Sequence, residues 1–229
     1  TRFGFDRNDV GDIEILPEDN GTTAAPISHG ITMKSRHDGF TQAALLFSQN
    51  GNDGTAIGLY TTNSYTNGPQ QGLYISPTGD VLTPRQHAFH AVATNQLTCT
   101  NSATFYTWSN WSITVTSSGG FDRGSTFNLS NGRFTAPETG VYVFVGSYLR
   151  NNNQLVFRGV FRVNGTSING EMRSTEAWSG YNMSASHTRI LSLDKDDYVE
   201  WGVSCDTAGG SLYGSSGGDY NYFAGYFLG

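Results

Sequence analysis

The stretch from Asn128 to Phe144 constrains this chain more than any other. It reads as strand, tight turn, short strand, corner and long strand. Asn131-Gly132 is a two-residue turn signal, because both residues tolerate positive φ at little steric cost. Pro137 fixes φ and removes a backbone donor, so it belongs at a corner and not inside a ladder. Beyond it, Val141, Val143 and Val145 face one way and Tyr142, Phe144 and Gly146 the other. Both faces are largely apolar, so the strand is expected to be covered on both sides. A strand buried by its own domain on one face and by something else on the other points to an oligomer.

The composition agrees with a β-rich, turn-rich chain. It holds 29 glycines and 13% aromatic residues, and only 14% of residues are charged. A disordered chain would show few aromatics and many charges. Long Leu/Ala/Glu/Lys runs are absent, so almost no helix is expected. The formal net charge is -6 and no Lys/Arg cluster occurs, which argues against nucleic acid as a partner. No segment approaches the roughly 18–20 apolar residues of a membrane helix, so no membrane insertion is expected. No charged-then-apolar leader is read in the first residues, so no secretory signal is expected. Its first residues lack an initiator Met, so it is expected to be a piece of something longer.

Residues 1–84 carry short β-type runs: Asp12 to Leu16, Gly30 to Lys34, Ala43 to Phe47, Ala56 to Tyr60 and Gly72 to Ser76. Polar turns separate them at a spacing typical of small antiparallel units. No single run closes a core of its own. Such units are stabilised by stacking or by winding with copies of themselves; a small ordinary β domain is the plainer alternative.

Several spaced residues carry a resemblance. Gly132, Phe134, Pro137, Gly140, Tyr142 and Phe144, with Phe121-Asp122 upstream and Phe223 to Leu228 at the end, resemble the signature of the complement C1q-type globular head, a member of the tumour necrosis factor superfamily. The resemblance covers roughly Ala88 to Gly229. It implies an all-β fold: a ten-strand antiparallel jelly roll forming a homotrimer. Residues 85–229 would be this head and residues 1–84 a short, β-rich, intertwined shaft. Gly72 to Val81 resembles the junction repeat that ends bacteriophage tail-fibre shafts, with Leu82 to Gln86 as the Pro-bearing connector. A fibre-like shaft feeding a complement-type head is similar to the distal end of a phage tail fibre. That implies a virion protein assembled in host cytoplasm, joined to the rest of the fibre, which adsorbs to a surface glycan or outer-membrane protein. A secreted complement- or cytokine-like ligand is the second reading. The absence of collagen-type Gly-x-y repeats argues against it. A glycan-cleaving spike is the third.

In the resembled family the first strand begins, and the last ends, at the base. Strand alternation then puts turns 150–154 and 194–197 at the base, and loops 164–187 and 205–219 at the apex. Strands at 188–193 and 197–204 are expected to pair. The apical loops are rich in Tyr, Trp, Ser, Gly and Asn, a set that offers broad contact and adaptable hydrogen bonds. Trp178, Tyr181, Asp206, Tyr213 and Asp219 are the candidate receptor contacts; the plainer reading packs Trp178 and Tyr181 onto their own domain or a neighbour. Phe89, Tyr142, Phe144, Tyr222 and Phe227 are the candidate trimer core, their faces left open.

Catalytic signatures are missing. No Gly-x-Ser-x-Gly elbow or His-Glu-x-x-His pair occurs, and Asp194, Asp196 and Asp197 sit on a tight turn where acidic residues serve solvation. No enzyme activity is expected. His29, His37, His87 and His90 lie in the shaft and junction, where packing or solvation is the plainer role. Some heads of the resembled family hold calcium near the apex, and Asp206 and Asp219 are placed for it. Calcium wants six to eight oxygens, and no loop of acidic spacing supplies them, so no cofactor is expected. Cys99 and Cys205 both fall near the apex. A disulfide fits that placement, whereas assembly in a reducing cytoplasm leaves the thiols free.

Overall fold

The structure is a computed structural model, and it describes residues 2–3, 13–15, 27–34, 41–49, 55–62, 69–114, 119–151, 156–168, 172–174, 183–214 and 220–229. Among these the chain is all-β, with antiparallel sheets and no helix. It divides into two compact units, residues 1–85 and 86–229.

The first unit is a seven-stranded meander. Strands Arg2–Phe3, Ile13–Ile15, Ile27–Lys34, Thr41–Gln49, Thr55–Thr61, Gln70–Ile75 and Val81–Leu82 each pair with the next. Hydrogen bonds between successive strands thus form within one chain, with Arg2–Phe3 and Val81–Leu82 at the two edges. The last turn shows how the sequence sets it. Gly79 adopts φ +90, Ser76 N donates to Asp80 O (2.9 Å), and Ser76 Oγ accepts from Asp80 N (3.0 Å).

The second unit is a sandwich of two sheets. In one sheet Ala88–Ala93 lies beside Tyr222–Phe227, then Gly140–Arg150, then Met183–Leu193. Trp111–Ser112 and Phe121–Arg123 pair the free edge of Ala88–Ala93. The other sheet runs Phe127–Asn128, Arg133–Thr135, Tyr198–Cys205, Phe157–Val163, then Thr166–Ser167 and Met172–Ser174. Alternation along each strand sends aromatic residues into the space between. Phe89, Tyr142, Phe144 and Phe223 from one sheet meet Phe134, Phe161, Val199 and Trp201 from the other, all at 1% exposure or less. Burying a side chain of this size contributes about 1.5–3 kcal/mol.

The opening motif folds nearly as its residues dictate. Phe127 pairs with Phe134 and Asn128 with Arg133. The loop between them spans four residues, not two, and only Gly132 takes positive φ (+69). Asn131 stays at negative φ and uses its Oδ1 to accept from Arg133 N (3.1 Å). Tyr142 and Phe144 point inward, while Val141, Val143 and Val145 point out, as the alternation requires.

Two expectations of direction need correction. Strands Met183–Leu193 and Tyr198–Cys205 do not pair. The 194–197 turn carries the chain from one sheet to the other, Leu193 pairing with Gly140 and Tyr198 with Thr135. Phe157–Val163 is followed by a hairpin return, because Asn164-Gly165 turns the chain at once (φ 50 and 78). That extra strand inverts the parity. The 164–165 turn lies at the base beside Asp197 and Tyr198. Arg150 and Phe157, which flank the 151–156 connection, lie at the opposite end with Cys205 and Leu212. The basal end is fixed by the entry of the chain, since His87 O accepts from Phe227 N (3.0 Å).

Candidate functional site

The end of the sandwich remote from Gln86 is built on a rigid base. Asn221, 1% exposed, donates from Nδ2 to Tyr213 O (2.6 Å) and accepts at Oδ1 from Leu149 N (3.0 Å). Tyr213 N donates to Leu149 O (2.8 Å). Both backbone groups of Tyr213 are thereby tied to the long strand. Its exposed ring stands edge-on to exposed Tyr220, the centroids 5.4 Å apart. Two fixed aromatic surfaces facing solvent are suited to stacking on apolar or sugar faces, with little conformational entropy to lose.

A disulfide, Cys99–Cys205, pins the same end across a separation of 106 residues. The loop around it is closed by Cys99 N to Gly210 O, Gly209 N to Cys99 O and Ala103 N to Cys205 O, each 2.8 Å. Of the two states that the sequence left open, the structure shows the paired one, with both cysteines fully buried in the core. Asp206 also lies at this end, where its Oδ1 meets Arg158 Nη2 at 2.7 Å. A carboxylate committed to a guanidinium does not fit a calcium ion that needs six to eight oxygens. Among the described residues no three His, Cys, Asp or Glu gather to hold a metal. Trp178, Tyr181 and Asp219 lie outside the described residues.

The outer face of the sheet holding Gly140–Arg150 is the second candidate surface. Register places Ala88, Tyr226, Val143 and Ile190 in one row across four strands. His90, Ala224, Val145 and Thr188 form the next, with Phe121 opposite His90. Ile190 is 66% exposed, and Tyr226 and Phe121 46% each. Of the five expected trimer-core residues, Tyr222 alone faces this way, 5.3 Å from the His90 ring. Phe89, Tyr142 and Phe144 are enclosed in the protomer's own core with no surface left to offer another copy, and Phe227 packs inward at 4.9 Å from Tyr142. The exposed residues of this face that were not among the sequence candidates are Phe121, Ile190 and Tyr226. Alternation relative to Phe223 and Phe227 gives Tyr226, once one of those rings is assigned to the core.

The acidic turn at the base is structural. Asp197 Oδ1 accepts from Asn164 Nδ2 (2.7 Å) and its Oδ2 from Asp194 N (2.9 Å). These bonds hold its carboxyl below the usual carboxylate range. A basal hollow of about 520 Å³, lined by Gly124, Thr126, Pro137 and Asp196 among others, carries that single carboxylate and no histidine. It lacks the paired groups that glycan cleavage requires. His187 is half-buried against Phe161 (5.3 Å) and Trp201 (6.4 Å), away from any reacting partner.

The C1q domain family model matches residues 88–228. No curated protein sequence matches the chain. Among solved structures, murine APRIL at pH 8.0 is similar with 14% identity and a TM-score of 0.47, over 62% of this chain and 99% of that one. The globular domain of zebrafish complement 1qA is similar with 16% identity and a TM-score of 0.44, over 62% of this chain and 98% of that one.

Proposed function

Because the chain belongs to the C1q domain family, whose jelly roll typically assembles as a trimer, we propose that three copies seal together and present their far ends to a receptor. The proposed role is non-covalent adsorption by the distal end of a bacteriophage tail fibre to a glycan or outer-membrane protein of a bacterial surface. The observation that carries the binding role is the exposed Tyr213–Tyr220 pair on its hydrogen-bonded base. The fibre context rests on the likeness of Gly72 to Val81 to a shaft-ending junction repeat. Three such ends on one axis turn weak single contacts into avid attachment. The role is adhesive and not catalytic.

Adsorption of the purified protein to a panel of bacterial cells and their extracted polysaccharides tests this reading. Binding to one strain, lost in the Tyr213→Ala/Tyr220→Ala variant with its thermal unfolding unchanged, supports it. Equal binding by the variant overturns the assignment of the site, and shortened polysaccharide chains overturn the adhesive role.

The Cys99–Cys205 bond favours a second reading, a secreted trimeric ligand, because such bonds persist in oxidising surroundings. Binding to a eukaryotic membrane protein, with no bacterial strain adsorbed, selects that reading.

A further inference from the structure

The meander of residues 27–82 has two unlike faces. Cross-strand register aligns Ile31, Leu45, Leu59 and Leu73 in one row, and Phe47 with Ile57 in the next. Residues sharing a row point to the same side of the sheet. Ile31, Phe47 and Leu59 stand 40%, 41% and 44% exposed. A hollow of about 340 Å³ runs between Ile31, Leu45 and Leu59, with an almost wholly apolar lining. The second row begins at His29, beside Phe47, and reaches Ile75, and no Asp, Glu, Lys or Arg stands in either row.

The opposite face is closed by its own side chains. Thr32, Ala44 and Ala56 are buried. The Tyr60 ring covers Gly58, its Cε2 2.6 Å from where a Cβ would lie, and its hydroxyl accepts from Gln71 Nε2 (3.0 Å). The open side thus leaves large apolar residues exposed, whereas the closed side, which carries Leu46, Tyr60 and Tyr74, covers its own small residues. A contiguous apolar patch of this kind marks a contact surface.

We propose that this face is buried against the same face of two further copies of the chain, so that three sheets enclose an apolar axis. Two observations choose the occupant. The chain passes from one unit to the other at Arg85–Gln86, so a head that trimerises gathers three copies of this face at high local concentration. Each strand of the meander already pairs with the next within the chain, so what stands uncovered across its width is the apolar face, and neighbouring copies meet there through side chains. The inference rests on the trimeric reading of the head, and it specifies the surface that this reading leaves unassigned.

The test uses the full chain carrying Leu59→Cys on the open face or Ser48→Cys on the closed one. The two native cysteines are bonded to each other, so the new thiol is the one free for a short bifunctional maleimide. We expect a sedimenting mass of three chains for both variants and covalent linkage between chains in Leu59→Cys at least fivefold above Ser48→Cys. Three chains in solution with no preferential linkage at Leu59→Cys overturn this inference alone. A single-chain mass overturns the trimeric head as well. If Leu59→Cys fails to fold, Phe47→Cys reports on the same face by the same criteria.

Discussion

The indole of Trp201 lies flat against Gly146: a Cβ on Gly146 would sit 2.2 Å from Trp201 Cδ2. The two residues belong to opposite sheets, and the glycine is the notch that lets a Trp occupy the middle of the sandwich. Gly159, on the strand beside Trp201, makes a second notch, its Cβ position 2.4 Å from Trp201 Cη2. Trp201 Nε1 donates to Ser147 O (3.3 Å), so its polar atom is satisfied inside the core.

Gly146→Ala is therefore expected to destabilise the head by about 1–3 kcal/mol, the usual cost of forcing an added carbon into a packed core. The neighbour that must yield is a fully buried ring and not a flexible chain end. Thermal or urea unfolding of the variant beside the wild type measures it. Unchanged stability would mean that the two sheets separate more easily than their packing implies.

This relationship also marks what the sequence reveals and what it hides. Alternation showed that Tyr142, Phe144 and Gly146 share a face, and the Gly-x-Phe-x-x-Pro-x-x-Gly-x-Tyr-x-Phe pattern gave the fold. It did not show that this face is the protomer's own core, because periodicity reports that a face is apolar and not what covers it. Direction failed for a related reason. Asn164-Gly165 was legible as a turn, but the return strands Thr166–Ser167 and Met172–Ser174 are short and carry little β pattern. Counting them as a loop moved the 150–154 connection to the wrong end. The tie from Asn221 to Tyr213 was out of reach, since it depends on a side chain eight residues away finding two backbone groups.

Removing the disulfide with Cys99→Ser/Cys205→Ser is expected to cost about 2–5 kcal/mol, because the bond closes a separation of 106 residues and constrains the unfolded chain. Both sulfurs are buried, so the variant also leaves two hydroxyls in an apolar site. Unfolding midpoints with and without the bond give the number. A mass lower by two hydrogens than the reduced chain verifies that the bond forms in the wild type.

Stability is expected to fall with acid through His187. Burial against Phe161 and Trp201, and then the nearby Arg189, push its pKa below the ordinary value. Its Nδ1 is buried without a hydrogen-bond partner. Above about pH 6.5, the ordinary histidine value, both states hold a neutral ring and nothing changes. Below it the unfolded chain takes up the proton first, so stability declines until the depressed folded value is reached. His187→Phe removes this contribution. Urea midpoints at pH 7.5 and 5.5 should lie further apart in the wild type than in the variant, and equal separations would reject the assignment.

Ile190 tests the outer face. It is 66% exposed in the single chain, in one row with Val143 and Tyr226. A β-branched apolar side chain so placed gains little where it stands, so Ile190→Asp should leave the folding of the protomer within about 0.5 kcal/mol, as surface substitutions usually do. If the row seals against another copy, the same change buries an unpaired charge at each contact, which costs several kcal/mol. The variant is expected to sediment as single chains at micromolar concentration while keeping the wild-type circular dichroism spectrum. Ser184→Asp, on an exposed position of the same strand outside this row, should retain the wild-type mass. An Ile190→Asp variant that stays fully associated would move the contact between protomers off this sheet.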